Sequence, residues 1–371
     1  MPKNNHLWEC APRTKAKLEI LRHYLGAWFG ILARKSFRHV YYIDGFCGPG
    51  EYRSGEEGSP VIAARLASST AQQYPGFKAT LIYIDKNPKA IKHLKSLDAI
   101  KNQHPNVAID IKEGIFVDEI ENIIAALKQN PSSPTFSFID PFGFGHSPLD
   151  KLKLLMHNQS SEIFINFMCG FMNRFKEHEY EEVTAKIKNM IGEDDLSDII
   201  KADNSIDSIC LAFEKNLKNI GRYTLKFMMM DENNSRDNAF FFCGRHPRGF
   251  EKIKQAMWKV DPVHGNSFSA HREMAKNPSQ TDLFDVEPET HILSGMLMNK
   301  FTGRTDVPVA EIFKWVVEET ETFLDRHART ELENLYEKGL ITSIKDPKNS
   351  TRRRRKKNWP ERLLLSFSDN G

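Results

Sequence analysis

The stretch YYIDGFCGPGEY, residues 41–52, decides the fold. With His39 and Val40 it opens as a short β-branched and aromatic run, the pattern of a buried strand. The run ends in an acid, Asp44, followed by Gly45, Phe46, Gly48 and Gly50. Small residues after a strand let backbone approach a ligand, and an acid at the strand end accepts from an amine or a hydroxyl. The glycines alone equally suit any tight turn. After EYRSGEEG the chain presents Ser59 as N-cap and Pro60 at the first helical position, which predicts a helix over 60–72.

The same alternation extends outward on both sides. TLIYID (80–85), VAIDI (107–111), TFSFID (135–140) and EIFINF (162–167) read as strands. Residues 88–101, 117–129 and about 148–156 read as the helices between them. Upstream, 14–33 places Leu18, Leu21, Leu25, Trp28, Phe29 and Leu32 on one helical face, with Thr14 as N-cap. This order predicts a mostly parallel α/β sheet with helices on both faces. A charged helical insertion (170–220) follows, then YTLKFMMM (223–230) and NAFFFCG (238–244) around a polar turn. Five parallel strands closed by a hairpin is not the dehydrogenase ending. It resembles the Rossmann-like sheet of class I S-adenosyl-L-methionine methyltransferases, whose last strand is antiparallel.

On this reading 1–36 is a helical segment packed on a methyltransferase-like domain at 37–260. Residues 261–290, polar with three prolines, read as a linker. In 291–371, three helices, the last stopped by Gly339, precede two strands that enclose Arg352, Arg353, Arg354, Arg355, Lys356 and Lys357. That is the order of a winged helix with a basic wing, which points to DNA or RNA; a solvated basic tail is the alternative.

Composition excludes several classes. The 371 residues suggest two or three domains at about 150 each. Net charge is only +3. No apolar run approaches the roughly 18 residues of a membrane span, and the N-terminus lacks a secretory core. Five scattered cysteines without a CxxC pair, and thirteen histidines without HxxxH or HExxH, give no expectation of disulfides or a metal. A reducing cytoplasm is expected.

Asp85, ending the second strand, suits ribose hydroxyls. With Lys86, and Gly114 and Ile115 after the third strand, it completes an expected S-adenosyl-L-methionine site beside Asp44, Gly45, Phe46, Gly48 and Gly50. FSFIDPFGFGH (136–146) resembles the D-P-P-Y box of amino-methylating nucleic-acid methyltransferases. That resemblance implies that Asp140 and the Pro141 carbonyl accept from an exocyclic amine. Phe142 stands at the second proline position and Gly143 at the aromatic one, so stacking falls to Phe142 or Phe144. Lys17 and Arg174 are candidates for neutralising phosphate, or plain surface charges. Cys169 follows the fifth strand, where RNA cytosine-C5 methyltransferases keep a nucleophile; without a companion cysteine it reads as core.

Thr14, Lys17, Leu21, Tyr24, Leu25 and Trp28, then Y-I-D-G-F-C-G-P-G, G-S-P (58–60), Y-I-D-K-N, F-I-D-P-F-G and M-N-R (172–174) together resemble the bacterial three-Cys-motif partner proteins. The match covers about 1–250 and implies a methyltransferase-like protein with a phage-type partner carrying a three-cysteine motif. Two readings stand: a methyltransferase acting on DNA or RNA, and a non-catalytic scaffold that brings nucleic acid to a partner enzyme. A nicotinamide oxidoreductase is disfavoured by the hairpin ending and by D-P-F-G.

Overall fold

A computed structural model describes residues 7–35, 39–141, 143, 145–175, 181–192, 205–275, 288–348, 356 and 358–369. The expectations placed on Phe142, Phe144, Arg352–Arg355 and Lys357 lie outside these residues. The chain forms two compact units, Met1–Ala256 with Ser267–Gln280, and Met257–Asn266 with Thr281–Gly371.

In the first unit, helix α1 (Pro12–Arg34) precedes β1 (Val40–Asp44), α2 (Ser59–Gln73), β2 (Ala79–Asp85), α3 (Pro88–Ser96), α4 (Asp98–Lys101) and β3 (Val107–Glu113). Then come α5 (Phe116–Leu127), β4 (Thr135–Ile139), α6 (Leu149–Leu155) and β5 (Ser161–Phe167). Helices α7 (Cys169–Phe175), α8 (Glu181–Ile191) and α9 (Ser205–Lys218) follow. Strands β6 (Tyr223–Met230) and β7 (Arg236–Gly244), helix α10 (Pro247–Val260, its residues from Met257 on counted in the second unit), strand β8 (Ser267–Ser269) and helix α11 (Ala270–Ala275) complete the run.

The eight strands lie in the order β3-β2-β1-β4-β5-β7-β6-β8. Neighbours from β3 to β5 are parallel, and β7 runs antiparallel to both β5 and β6. This is the mostly parallel α/β sheet with an antiparallel strand expected from the strand–helix alternation and the closing hairpin. Every residue of β1, β4 and β5 is buried because both faces are covered, which is why these strands read as unbroken apolar runs. Alternate residues sort the faces. Ile43, Ile82, Ile139, Ile163 and Ile165 share a core with residues of α5 to α9, including Phe116, Leu152, Met172 and Phe213. On the other face Phe136 and Phe242 meet α1 through rings of Tyr24 and Trp28, and Tyr42 stacks on Phe136.

Several sequence expectations change. Helix α1 starts at Pro12 with Ala11, not Thr14, as its N-cap, and α2 is capped by Gly58, with Ser59 already inside the helix. The helix over 88–101 breaks at Leu97, whose backbone is extended (ψ 136°). Helix α10 lies where no element is expected, although Phe250, Ile253, Ala256 and Met257 carry helical spacing and are buried. Part of the expected linker is structured: β8 pairs parallel with β6 through Met228, Met229 and Met230. Three residues are too few to show a period of two.

The second unit contains α12 (His291–Phe301), β9 (Val307–Pro308), α13 (Val309–Glu319), α14 (Asp325–Glu337), β10 (Ile341–Lys345) and β11 (Leu364–Phe367). Its sheet, β10-β11-β9, is antiparallel. Gly339 takes φ +73°, the left-handed stop expected after α14. Leu297, Ile312, Leu332, Trp359 and Leu365 are among its fully buried core. Among the described residues, no helix is long and apolar enough to cross a membrane.

Candidate functional site

The chain builds β1 to β3 outward in one direction and then returns to lay β4 and β5 on the other side of β1. In open α/β sheets, ligands bind outside the carboxyl ends of the strands where the order reverses. A cleft of about 300 Å³ opens there. Its walls include Phe46, Cys47, Gly48 and Gly50 after β1, Asp140 and Pro141 after β4, Asn166 of β5 and Asn238 of β7. Lys17 of α1, with Trp8 and Tyr52, closes it from the side.

The loop after β1 takes shapes that only glycine adopts without strain. Gly48 has φ +59° and Gly50 φ +87°. A Cβ at Gly50 would meet Leu94 Cδ1 at 2.6 Å, and one at Gly45 would meet Phe116 Cδ2 at 2.8 Å. The extension that follows anchors the N-terminal segment over the loop. The Arg53 amide donates to the Trp8 carbonyl at 2.8 Å, and Trp8 Cζ3 lies 3.8 Å from where a Gly48 Cβ would stand.

Asp44 lies beneath this loop rather than in the cleft and is fully buried. Its Oδ1 accepts from the Phe46 amide at 3.3 Å and its Oδ2 from the Tyr42 hydroxyl at 3.2 Å. Burial pushes its carboxyl up to about 7, against bonds from Ser59, Phe46 and Tyr42 that favour the charged form. Asp44 therefore shapes the loop; direct acceptance from a ligand is not its geometry.

Asp85 is likewise turned to the chain. Oδ2 accepts from the Gly48 amide at 2.9 Å and Oδ1 from the Asn87 amide at 2.8 Å. Each oxygen keeps a second lone pair. Asp85→Ala would orphan two amides, so it is expected to lower stability by roughly 2–4 kcal/mol while also weakening any ligand held by the loop. A urea melt unchanged from the parent would show that Asp85 does not hold the loop. Gly114 donates its amide to the Asp85 carbonyl at 3.1 Å. Ile115 is 49% exposed and Lys86 is exposed; neither they nor Gly114 line the cleft.

Asp140 is the centre of the cleft's polar wall. Its Oδ1 accepts from Asn166 Nδ2 at 2.8 Å, and its Oδ2 is ion-paired with Lys17 Nζ. Lys17 was expected among surface groups that neutralise phosphate. Instead its side chain is 12% exposed and committed to Asp140. The reason is the course of α1 along the sheet. At one end the Tyr24 hydroxyl donates to Glu162 Oε2, at the start of β5, at 2.7 Å; two helical turns earlier, Lys17 reaches the carboxyl edge. Asn166 is 7% exposed, and its Oδ1 is buried without a hydrogen-bond partner. Burial and the nearby Asp140 carboxylate push the Tyr52 phenol up.

The remaining candidates fall elsewhere. Arg174 is exposed, its guanidinium 5.7 Å from the Phe171 ring centroid, and does not line the cleft. Cys169 is fully buried in the core, as expected. In the second unit Lys356 pairs with Glu337 at 2.7 Å, Lys345 with Asp306 at 2.7 Å and Arg362 with Asp346 at 2.8 Å. Among the described residues no cluster of three or more His, Cys, Asp or Glu is arranged to hold a metal ion. Sequence reasoning missed Trp8, Tyr52, Asn166 and Asn238. An asparagine near the end of the otherwise apolar IFINF was a signal for one of them; Trp8 carried none.

No protein-family model and no curated protein matches the chain. Among solved structures it is similar to a Legionella pneumophila protein from a family of unknown function, at 12% identity, with 64% of this chain and 88% of that one covered and a TM-score of 0.37. A Streptomyces avermitilis protein from another such family matches at 9% identity over 63% and 88% of the chains, TM-score 0.34. An O-methyltransferase from Bacillus cereus, in complex with S-adenosylhomocysteine, matches at 14% identity over 59% and 80%, TM-score 0.32. Likenesses this distant carry neither substrate nor reaction to this chain.

Proposed function

We propose that the protein is an S-adenosyl-L-methionine-dependent methyltransferase acting on nucleic acid. The observation that carries the reading is the meeting, where the strand order reverses, of a left-handed glycine loop with Asp140 and Pro141 at the end of β4. The loop from Phe46 to Gly50 fits the methionine end of the cosubstrate, because at Gly48 and Gly50 its backbone carries no Cβ. Asp85 and Gly114 stand at the ends of β2 and β3, where the ribose and adenine belong in this fold. The cosubstrate supplies a methyl group already activated on a sulfonium, so the chain's work is to orient an acceptor and exclude water. Asp140, held by Lys17 and Asn166, is the group placed to orient that acceptor.

The second unit supports the nucleic-acid half of the reading. Helix, strand, two helices and two further strands in a three-stranded antiparallel sheet is the order of a winged helix, and the basic run connects β10 to β11. The described basic groups Lys345, Lys356 and Arg362 already face carboxylates, so phosphate binding falls to Arg352–Arg355 and Lys357. Changing these five to serine is expected to flatten the dependence of log affinity on log salt by up to about 4 units on duplex. An unchanged slope would make the run a solvated tail. The resemblance to three-Cys-motif partner proteins adds a phage-type partner protein, and five free cysteines suit the cytoplasm.

One observation favours the scaffold reading: Asp140 is already engaged in an ion pair. Isothermal titration with S-adenosylhomocysteine and with NAD, side by side, tests the cosubstrate. Heat with the first alone supports the proposal; heat with NAD alone, or with neither, defeats it. Labelled methyl transfer to cellular DNA and RNA, with and without a partner protein, then separates enzyme from scaffold.

A further inference from the structure

We propose that the methyl acceptor is a hydroxyl oxygen rather than an exocyclic amine, and that on nucleic acid it is the ribose 2′-hydroxyl of RNA; the inference rests on the methyltransferase reading above. An exocyclic amine presents donors and needs acceptors with nothing competing for them. The cleft offers Asp140, whose Oδ1 accepts from Asn166 Nδ2 at 2.8 Å and whose Oδ2 accepts from Lys17, so each oxygen keeps one lone pair, with a cation beside it. Lys17 has three donors and no acceptor, so it has nothing to give an amine. It also fixes a positive charge beside an atom that itself becomes positive on methylation, and both Lys17 and Asp140 are largely withdrawn from solvent, at 12% and 17% side-chain exposure.

A hydroxyl reverses each of these terms. Its oxygen accepts from the Lys17 ammonium, which stabilises negative charge as the O–H bond weakens. Its proton passes to the Asp140 carboxylate and from there to solvent. The O–CH₃ bond forms as the S–CH₃ bond breaks, the electron pair stays on sulfur, and neutral S-adenosylhomocysteine thioether departs beside the methyl ether. One positive charge enters on the sulfonium and one leaves as the proton. A second observation points to a donor on the ligand. Asn166 Oδ1, buried on the cleft wall, has no partner within the chain. It is an acceptor beside Asp140 that a further donor on the ligand would satisfy. DNA has no 2′-hydroxyl, so the acceptor chemistry also chooses the polymer.

The test is labelled methyl transfer by the full chain to total RNA and to DNA, followed by alkaline cleavage of the RNA. A 2′-O-methyl group blocks attack of that oxygen on the neighbouring phosphate, so the label is expected in alkali-resistant dinucleotides, with none in DNA. Label on bases, in RNA or DNA, overturns the inference and leaves the methyltransferase reading standing. No label from a protein that still binds S-adenosylhomocysteine overturns both. Lys17→Met is expected to lose roughly 100-fold or more in transfer. A binding readout keeps this separate from turnover. With S-adenosylhomocysteine present, the parent should prefer a ribo-oligonucleotide over its 2′-deoxy counterpart by roughly tenfold, and Lys17→Met should lose that preference while keeping its S-adenosylhomocysteine affinity. An equal preference in parent and variant removes Lys17 from acceptor recognition and overturns the inference.

Discussion

Asp140→Ala is expected to lower methyl transfer by roughly 10³-fold or more while leaving S-adenosylhomocysteine affinity within a few-fold of the parent. The carboxylate stands at the end of β4 on the cleft wall, and its bonds run to Lys17 and Asn166 rather than to the glycine loop. On the proposed reading, removing it takes away the group that orients the acceptor and takes its proton, but none of the contacts that shape the loop. The variant carries a structural penalty that must be separated from catalysis. Lys17 would be left largely buried with no counter-charge, a situation far more costly than losing the pair together. Lys17→Met with Asp140→Ala should therefore melt closer to the parent than Asp140→Ala alone, yet remain as inactive. If Asp140→Ala turns over like the parent, Asp140 has no part in the reaction. If parent and variant are equally silent while both bind S-adenosylhomocysteine and nucleic acid, the scaffold reading prevails.

The fold was legible where burial is two-sided and turns are chemically marked. VYYID, TFSFI and EIFINF are apolar throughout because helices cover both of their faces, and Gly48 and Gly50 stand where φ is positive. The site was legible only in outline. Asp44 and Asp85 end their strands as expected, but sequence cannot show that backbone amides and hydroxyls of the same chain already fill their oxygens. Lys17 is instructive. It precedes Leu21 by four residues and Tyr24 by seven, which places it on the apolar stripe of α1 and not on its solvent side. That spacing was a sign of a committed lysine. The identity of its partner, 123 residues away, depended on how α1 lies along the sheet. The D-P-F-G box is legible only in part for a related reason: it fixes an acid at a strand end but says nothing about what reaches that acid from elsewhere.

Two buried carboxyls of the first unit are expected to contribute stability that is lost as pH rises from about 4 to about 7. Burial pushes Asp44 from its ordinary 3.8 up to about 7, and pushes Glu162 from 4.5 up to about 7. Glu162 is 5% exposed, with bonds from the Tyr24 hydroxyl and the Trp28 side chain that only partly offset its desolvation. Its Oε1 packs against Gly249 of α10, where an added Cβ would clash with it. Below the ordinary carboxyl range, both groups are protonated in the folded and the unfolded chain, and their contribution is flat. Between there and about 7 the unfolded chain ionises first, so the folded chain holds more protons and loses stability as pH rises. Above about 7 both states are ionised and the loss is complete, roughly 3–4 kcal/mol for each group. Glu56, Glu121 and Glu182, held low by lysines, act in the opposite direction, so the parent curve alone does not isolate the effect. The difference between parent and variant does. For Glu162→Gln that difference should change by about 3 kcal/mol between pH 4 and pH 8 in urea melts, whatever offset the amide introduces at the Trp28 contact. Asp44→Asn should give a change of similar size and the same sign. A flat difference curve for both variants would mean that neither carboxyl is held protonated in the fold, and that α1 and the glycine loop rest on charged groups after all.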